Sequence, residues 1–316
     1  MELNMDVARN LHSGELVEAE ELWNMDVVDK DAYVCRGCAT RVFPASYNPA
    51  VNKRRPYFTL GKGNHHAQGC DVDGENTIVS RARQERVGGS DGFPMPFPSK
   101  LSLSDAHPAG PAGHASAAFG SATLAAVHAA ARGAARRQYH GHTVKTIRPL
   151  CRTYINFPND RAYLPLEIPG VWGSTYAQLF WLIPNKKPAF FKNPRHLFHA
   201  PIRWKVEPVV SDTHCELTLS AGQWDSATRG YLSLCRLRVD WSGWSDTRRR
   251  TLLHEIEAAR AESVEQARRD SQIKGWLFFI GTQDRTDPGL FHVDDARFIC
   301  CLAARMTWPE RQLAPA

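Results

Sequence analysis

The sequence lacks any apolar run long enough to span a bilayer. Its most apolar stretches, "YAQLFWLI" (176–183) and "GWLFFIG" (275–281), fall far short of the ~20 residues a spanning helix needs. No membrane partner is expected. Also missing from the first residues, "MELNMDVARNLHSGELVEAEELW", is a basic segment ahead of an apolar core; the stretch is acidic instead. With no secretory signal read there, the expected location is cytoplasmic.

Catalytic signatures are equally scarce. There is no Gly-x-x-x-x-Gly-Lys-Ser/Thr loop, no Gly-x-Gly-x-x-Gly after a strand and no Gly-x-Ser-x-Gly elbow between a strand and a helix. The usual grounds for NTP hydrolysis, dinucleotide redox chemistry and serine hydrolysis are therefore absent. "LHEIEAAR" has His254 and Glu255 but no second histidine for a zinc-protease pair, so it reads as a solvated helix face. Asp294 and Asp295 are adjacent, and neighbours in a strand point to opposite faces. A metal-dependent nuclease would need Glu167, Glu207, Asp294 and Asp295 to converge from a distance.

What is present begins with eight cysteines in 316 residues. Without an export signal, they point to thiols or metal ligands rather than disulfides. Cys151, Cys215, Cys235, Cys300 and Cys301 lie in apolar, strand-like runs and are expected to be small buried hydrophobes. Cys35, Cys38 and Cys70 cluster, and His65 and His66 stand just before the third. Zinc takes four S or N ligands in a tetrahedron, and Cys-x-x-Cys supplies two from one tight turn, here with Gly37 inside it. Cys70 with His66 makes the second pair; His65 would require a wider turn. The expected set is Cys35, Cys38, His66 and Cys70 holding a structural Zn²⁺. Four protein ligands close the site, and the His-x-Glu…Pro-Cys-x-x-Cys pattern of a zinc deaminase is missing. A redox role for Cys35 and Cys38 would leave Cys70 and the histidines unexplained.

The order "YVCRGC", "RRPYF", "HHAQGC" resembles the N-terminal zinc-binding module of bacterial proteins related to the competence-protein family and of many mobile-element proteins. It is confined to residues 33–73. The resemblance implies a metal module, often followed by a nuclease domain with an Asp…Glu-x-Lys pattern. Here "LPLEIPG" continues with Pro-Gly where that pattern has lysine.

Charge is strongly segregated. Residues 1–34 carry nine acids against Arg9 and Lys30, whereas Arg132–Lys205 holds thirteen Lys or Arg against Asp160 and Glu167. So basic a block is expected to meet a polyanion. Aromatics are interleaved with it, the mixture a single-stranded nucleic acid needs: cations track phosphates and rings stack on bases. The expected contacts are Arg152, Tyr154, Trp172, Tyr176, Lys186, Lys187, Phe190, Phe191, Lys192, Arg195, Trp204 and Lys205, centred on "IPNKKPAFFKNPRH" as a flexible, exposed loop. Part of this aromatic set would serve equally well as core; Phe180 and Trp181 in particular lie in an apolar run.

The sequence divides into a zinc-binding module (1–85), a Gly/Pro/Ser/Ala-rich linker (86–118) and a basic β-rich domain (119–316). In the last, an Ala-rich helix is expected over 115–140, then short strands with "SDTRRRTLLHEIEAARAESVEQARRDSQ" as an inserted helix capped by Ser245. The expected class is α+β: a zinc-ribbon-like module plus an OB-like barrel with one or two helices. The expected function is binding of single-stranded DNA, with RNA second, as an accessory subunit of a bacterial defence or mobile-element complex. The acidic N-terminus would shield the basic face or dock a protein. The alternatives are a nuclease and a protein adaptor.

Overall fold

A computed structural model describes residues 4–52, 54–89, 92–103, 141–193 and 195–309. The acid/apolar alternation at the N-terminus forms β1 (Val7–Asn10) and β2 (Leu16–Glu18), which pair antiparallel, with β3 (Tyr33–Cys35) on the other side of β1. A 3-10 helix, Ala19–Asn24, buries Leu22 and Trp23 after β2. β4 (Val42–Ala45) and β5 (Tyr57–Leu60) form an antiparallel hairpin between the Cys35–Cys38 and His66–Cys70 pairs. α1 (Glu75–Ala82) follows Cys70 in a stretch where polar composition hid a helix.

The stretch assigned to the linker begins differently from its composition. Phe93, Met95 and Phe97 are buried in the main core, and β6 (Pro98–Leu101) pairs in parallel with β7 (His142–Val144). Prolines fixed these residues as extended, and extended chain is also what a strand needs. Residues 104–118 and the Ala-rich helix expected over 115–140 lie outside the described residues.

"TVKTIRPLCRTYINF" opens the region expected to hold short strands, but it forms β7 and then α2 (Arg148–Asn156). Pro149 sits in the first turn, where a missing N–H costs nothing, and Leu150, Cys151, Tyr154 and Ile155 bury one helical face. α3 (Tyr176–Leu179) leads directly into β8 (Phe180–Leu182). The remaining elements are β9 (Arg195–Pro201), β10 (Val209–Val210), β11 (His214–Asp225), β12 (Gly230–Asp240), α4 (Asp246–Ala267), β13 (Ile273–Gln283), β14 (Leu290–Val293) and β15 (Ile299–Arg305).

These strands make one eight-stranded mixed sheet, ordered β10-β11-β12-β14-β13-β9-β8, with β15 also paired to β13. In β12, Cys235, Leu237 and Val239 are buried while Leu232 is exposed, the period-two alternation of a strand with one face on a core. α4, capped by Ser245 Oγ accepting from the Arg248 amide, lies against β13 and β15 through Leu252, Ile256 and Ala259. The OB-like barrel is not formed. β11 bulges between Thr218 and Gly222 and meets the chain just beyond β9 at the isolated bridge Ile202–Leu219, but among the described residues β9 and β11 form no ladder and no closed barrel results. All eight cysteines are free and buried. Among the described residues no helix is long and apolar enough to cross a membrane.

The N-terminal module is joined to the sheet by buried charge. Arg148 Nη1 donates to Glu18 Oε2 at 3.0 Å and its Nη2 to Glu255 Oε2 at 2.6 Å, while Arg152 Nη2 donates to Glu20 Oε1 at 2.6 Å. Arg55, from the β4–β5 loop, donates to Glu20 Oε1 at 3.2 Å and to the Cys301 carbonyl at 2.7 Å. Burial alone would raise the Glu20 carboxyl, but the guanidiniums of Arg152, Arg148 and Arg55 outweigh it and hold it at about 2. Its ionised form therefore contributes stability that is present above its unfolded value of 4.5 and is lost as pH falls from there through about 2.

Two outcomes follow. Glu20→Ala, which leaves three arginines under-compensated in the interior, is expected to cost about 3–5 kcal/mol in denaturant unfolding at neutral pH. The same variant should also flatten the acid limb of the stability–pH curve, measured by repeating the unfolding series below pH 5.

Candidate metal centre and basic edge

The metal site is assembled from three short pieces. Cys35 ends β3, Cys38 closes the turn after it, and His66 and Cys70 come from the loop beyond β5. The four ligand atoms all lie within 4.8 Å of one another. Cys35 Sγ and Cys70 Sγ are 3.8 Å apart, and His66 Nδ1 is 3.4 Å from Cys38 Sγ and 3.6 Å from Cys70 Sγ. A tetrahedral zinc with bonds of about 2.3 Å to sulfur and 2.0–2.1 Å to nitrogen has edges of about 3.8 Å between sulfurs and 3.6 Å between sulfur and nitrogen. These three separations lie within about 0.2 Å of those edges. They are far too long for a disulfide.

The backbone around the site is shaped for this approach. A Cβ on Gly37 would collide with the Asp71 carboxylate and lie 3.1 Å from Cys70 Sγ, so only glycine lets the two halves meet. The Gly37 amide donates to Cys35 Sγ at 3.4 Å. Contact with Cys70 and these amides draw the Cys35 thiol below its ordinary value, against the effect of burial. His66, not His65, supplies the nitrogen; its Nε2 is buried with no acceptor among the described residues. The residues present are a closed Cys3His donor set that can hold a metal ion, with zinc the ion such a set suits.

The basic block separates into two populations. Three of the expected nucleic-acid contacts belong to the interior. Tyr154 is buried, stacked on Phe180 with centroids 4.0 Å apart, under the Arg161 guanidinium at 3.7 Å. Tyr176 is fully buried and donates to the Pro98 carbonyl at 2.6 Å. Arg152 is taken up by Glu20 and by Asp6, 3.1 Å away. Composition could not distinguish these from surface residues, because aromatic and basic side chains also build cores and buried pairs. The acidic N-terminus thus meets part of the basic block inside the molecule.

The second population lies around β8, the edge strand of the large sheet. Lys186, Lys187 and Lys192 are exposed on the connection between β8 and β9 and have no carboxylate partner among the described residues, and neither does exposed Lys205. Trp172 is 75% exposed, Phe190 59% and Trp181 42%. Arg195 lies beside Gly170, 3.5 Å from where a Cβ would stand, which brings the Trp172 loop next to the start of β9. Phe191 turns inward onto Phe198 and Phe291. Trp204 is half-buried at the far end of β9, packed against Gly275.

The connection is anchored, not free. Gln283, at the end of β13, accepts from the Phe191 amide at 2.9 Å and donates to the carbonyls of Ala189 at 2.8 Å and Pro288 at 2.7 Å. No local signal announced Gln283, since its partners are distant in sequence. Arg55 was missed for the same reason: its neighbours made it look like part of a basic surface.

The four acids of the nuclease alternative do not converge. Glu167 pairs with Lys100 at 2.9 Å and Glu207 with Arg260 at 2.9 Å. Asp295 caps the turn before β15 and pairs with Arg297 at 2.7 Å; Asp294 and Asp295 share a cavity with Glu20, Glu21 and Glu255 but not with the other two.

The purified chain is expected to carry one zinc per molecule by elemental analysis. Cys35→Ser, Cys70→Ser and His66→Ala should each lose it while His65→Ala keeps it. Cobalt substitution should give tetrahedral, thiolate-rich absorption. Gln283→Leu should abolish hydrogen-exchange protection at the Phe191 amide and leave β11–β12 protection intact.

No family model, curated protein or solved structure matches the chain.

Proposed function

We propose that the protein binds single-stranded nucleic acid, DNA ahead of RNA, along the edge formed by β8 and its connection to β9. The observation that carries this reading is the group of lysines with no carboxylate partner among the described residues, Lys186, Lys187 and Lys192, beside the exposed rings of Trp181, Phe190 and Trp172. A protein that exposes three cations without counter-charges pays a repulsion that a phosphate chain relieves, through release of condensed counterions. Exposed rings next to those cations give bases a surface on which to stack. The contact set is narrower than the basic block as a whole: Trp172, Lys186, Lys187, Phe190, Lys192 and Arg195, with Trp181 added.

The zinc-type site is structural in this reading. Its four protein ligands leave no coordination position for a substrate, and it fixes a module whose loop sends Arg55 into the interior. An accessory role in a bacterial defence or mobile-element assembly rests on the resemblance of residues 33–73. The adaptor alternative would suit a neutral or apolar patch at 186–195, where exposed lysines stand instead.

Anisotropy titration of a labelled single-stranded oligonucleotide across a salt series tests the proposal. Binding should weaken linearly in log–log form. Replacing Lys186, Lys187 and Lys192 together by alanine should flatten the slope by roughly 2, at roughly 0.7 per phosphate contact. Trp181→Ala or Phe190→Ala should cost about 1–3 kcal/mol with the slope unchanged. Absence of binding at low salt, or binding indifferent to salt, would sink the reading.

A further inference from the structure

Where β8 and β9 end and β13 begins, a cavity of about 420 Å³ opens to solvent. Its walls carry Trp204, Trp276, Trp308 and Tyr231, with Lys274 and Asn185 among the polar contributors and no Asp or Glu. Three indoles and a phenol around one opening of this size is an unusual use of aromatic residues. A single exposed ring needs no explanation, but a grouped set of this kind marks a ligand site.

Each ring is held in place by something other than a ligand. Trp204 lies against the backbone of β13: a Cβ on Gly275 would collide with its Cζ2, so glycine at that position lets the indole lie against the strand. Its Nε1 is buried with no acceptor among the described residues, so the contact with the strand, not a hydrogen bond, sets its place. Trp276 is anchored through Nε1 to the Ala304 carbonyl at 3.1 Å. Trp308, 49% exposed, stacks on fully buried His199 with centroids 6.0 Å apart and planes 23° apart. Tyr231 donates its hydroxyl to Asn185 Oδ1 at 3.1 Å and has the Arg203 guanidinium 5.2 Å from its ring centre.

The surrounding charge selects the class of ligand. Lys274 in the wall is exposed with no carboxylate partner among the described residues, Lys205 follows Trp204, and Lys186 and Lys187 follow Asn185. An aromatic cage for a quaternary ammonium would be repelled by these cations. A sugar site would call for carboxylates and free amides, and here the one amide in the wall accepts from Tyr231. A flat, neutral heterocycle attached to a phosphate satisfies both the rings and the lysines. Asn185 links the cavity directly to the basic connection, so a strand following Lys186 and Lys187 passes its mouth.

We propose that this cavity takes one unstacked nucleobase of a bound single strand, seated among Trp204, Tyr231 and Trp308 with its phosphate towards Lys274 and Lys187. The proposal rests on the single-strand reading of the β8 edge and names a part of it that base-independent binding does not need.

The test compares an oligothymidylate with an abasic oligonucleotide of the same length, both titrated into the full chain. The base-containing strand is expected to bind about 5- to 150-fold more tightly than the abasic one. Trp308→Ala and Tyr231→Ala should shrink that ratio while leaving abasic binding unchanged. Lys274→Glu, at an exposed position that does not endanger folding, should weaken the base-containing strand more than the abasic one, and it decides the matter if the aromatic variants unfold. Equal binding of the two strands overturns the pocket and leaves phosphate tracking standing. A ratio that survives Trp308→Ala, Tyr231→Ala and Lys274→Glu overturns it too, placing base stacking at Trp181 and Phe190. If neither strand binds, both readings fall.

Discussion

Drawing three arginines inward onto shared carboxylates is the constraint around which the rest of the molecule is arranged. Arg55, Arg148 and Arg152 come from a hairpin loop and a helix, and a guanidinium taken out of water must find acceptors, which here are carboxylates. Glu18 and Glu20 come from the N-terminal strand and 3-10 helix, and Glu255 from α4. Glu255 and Arg55 also satisfy both backbone groups of Cys301, through its amide at 2.9 Å and its carbonyl at 2.7 Å. The network is a poor source of net stability, because desolvation offsets most of the attraction. It does define one way for the module to sit on the sheet, since any other seating strands a charge.

That seating divides the basic block. The charges that look most basic in sequence fall into a buried set, which organises the fold, and an exposed set at the β8 edge, which has no counter-charge among the described residues. Gln283 then holds the backbone of the exposed set, so that Phe190 and the lysines are presented while Phe191 is kept inside. A loop pinned at its middle loses less entropy on binding than a free one of equal length. The same logic covers the metal ligands, where Gly37 allows the two halves of the site to come within bonding distance.

How much of this could be read from the chain follows from the range of each signal. The cluster of Cys35, Cys38, His66 and Cys70 was legible because Cys-x-x-Cys and His-x-x-x-Cys are local patterns that each bring two donor atoms together. Strands such as Gly230–Asp240 were legible because alternation survives whatever they pack against. Arg148 and Arg152 were not, because a charge count cannot say which way a side chain points. Tyr154 and Tyr176 were mistaken for surface rings on the same ground. The helix at Arg148–Asn156 was obscured by β-branched and aromatic content, although its 3.6-residue spacing was there to see. The missing barrel closure depended on a single bridge between residues far apart in sequence.

The position of Arg55 between the two ligand pairs has one more consequence. Its hairpin is bounded on both sides by metal ligands, and its tip reaches the interior at Glu20 and Cys301. An ion held by Cys35, Cys38, His66 and Cys70 would therefore brace both ends of the segment that carries Arg55. Were ion binding and the seating of the arginine coupled, each would strengthen the other by the same factor. A chelator would then loosen a contact at Cys301 that it never touches.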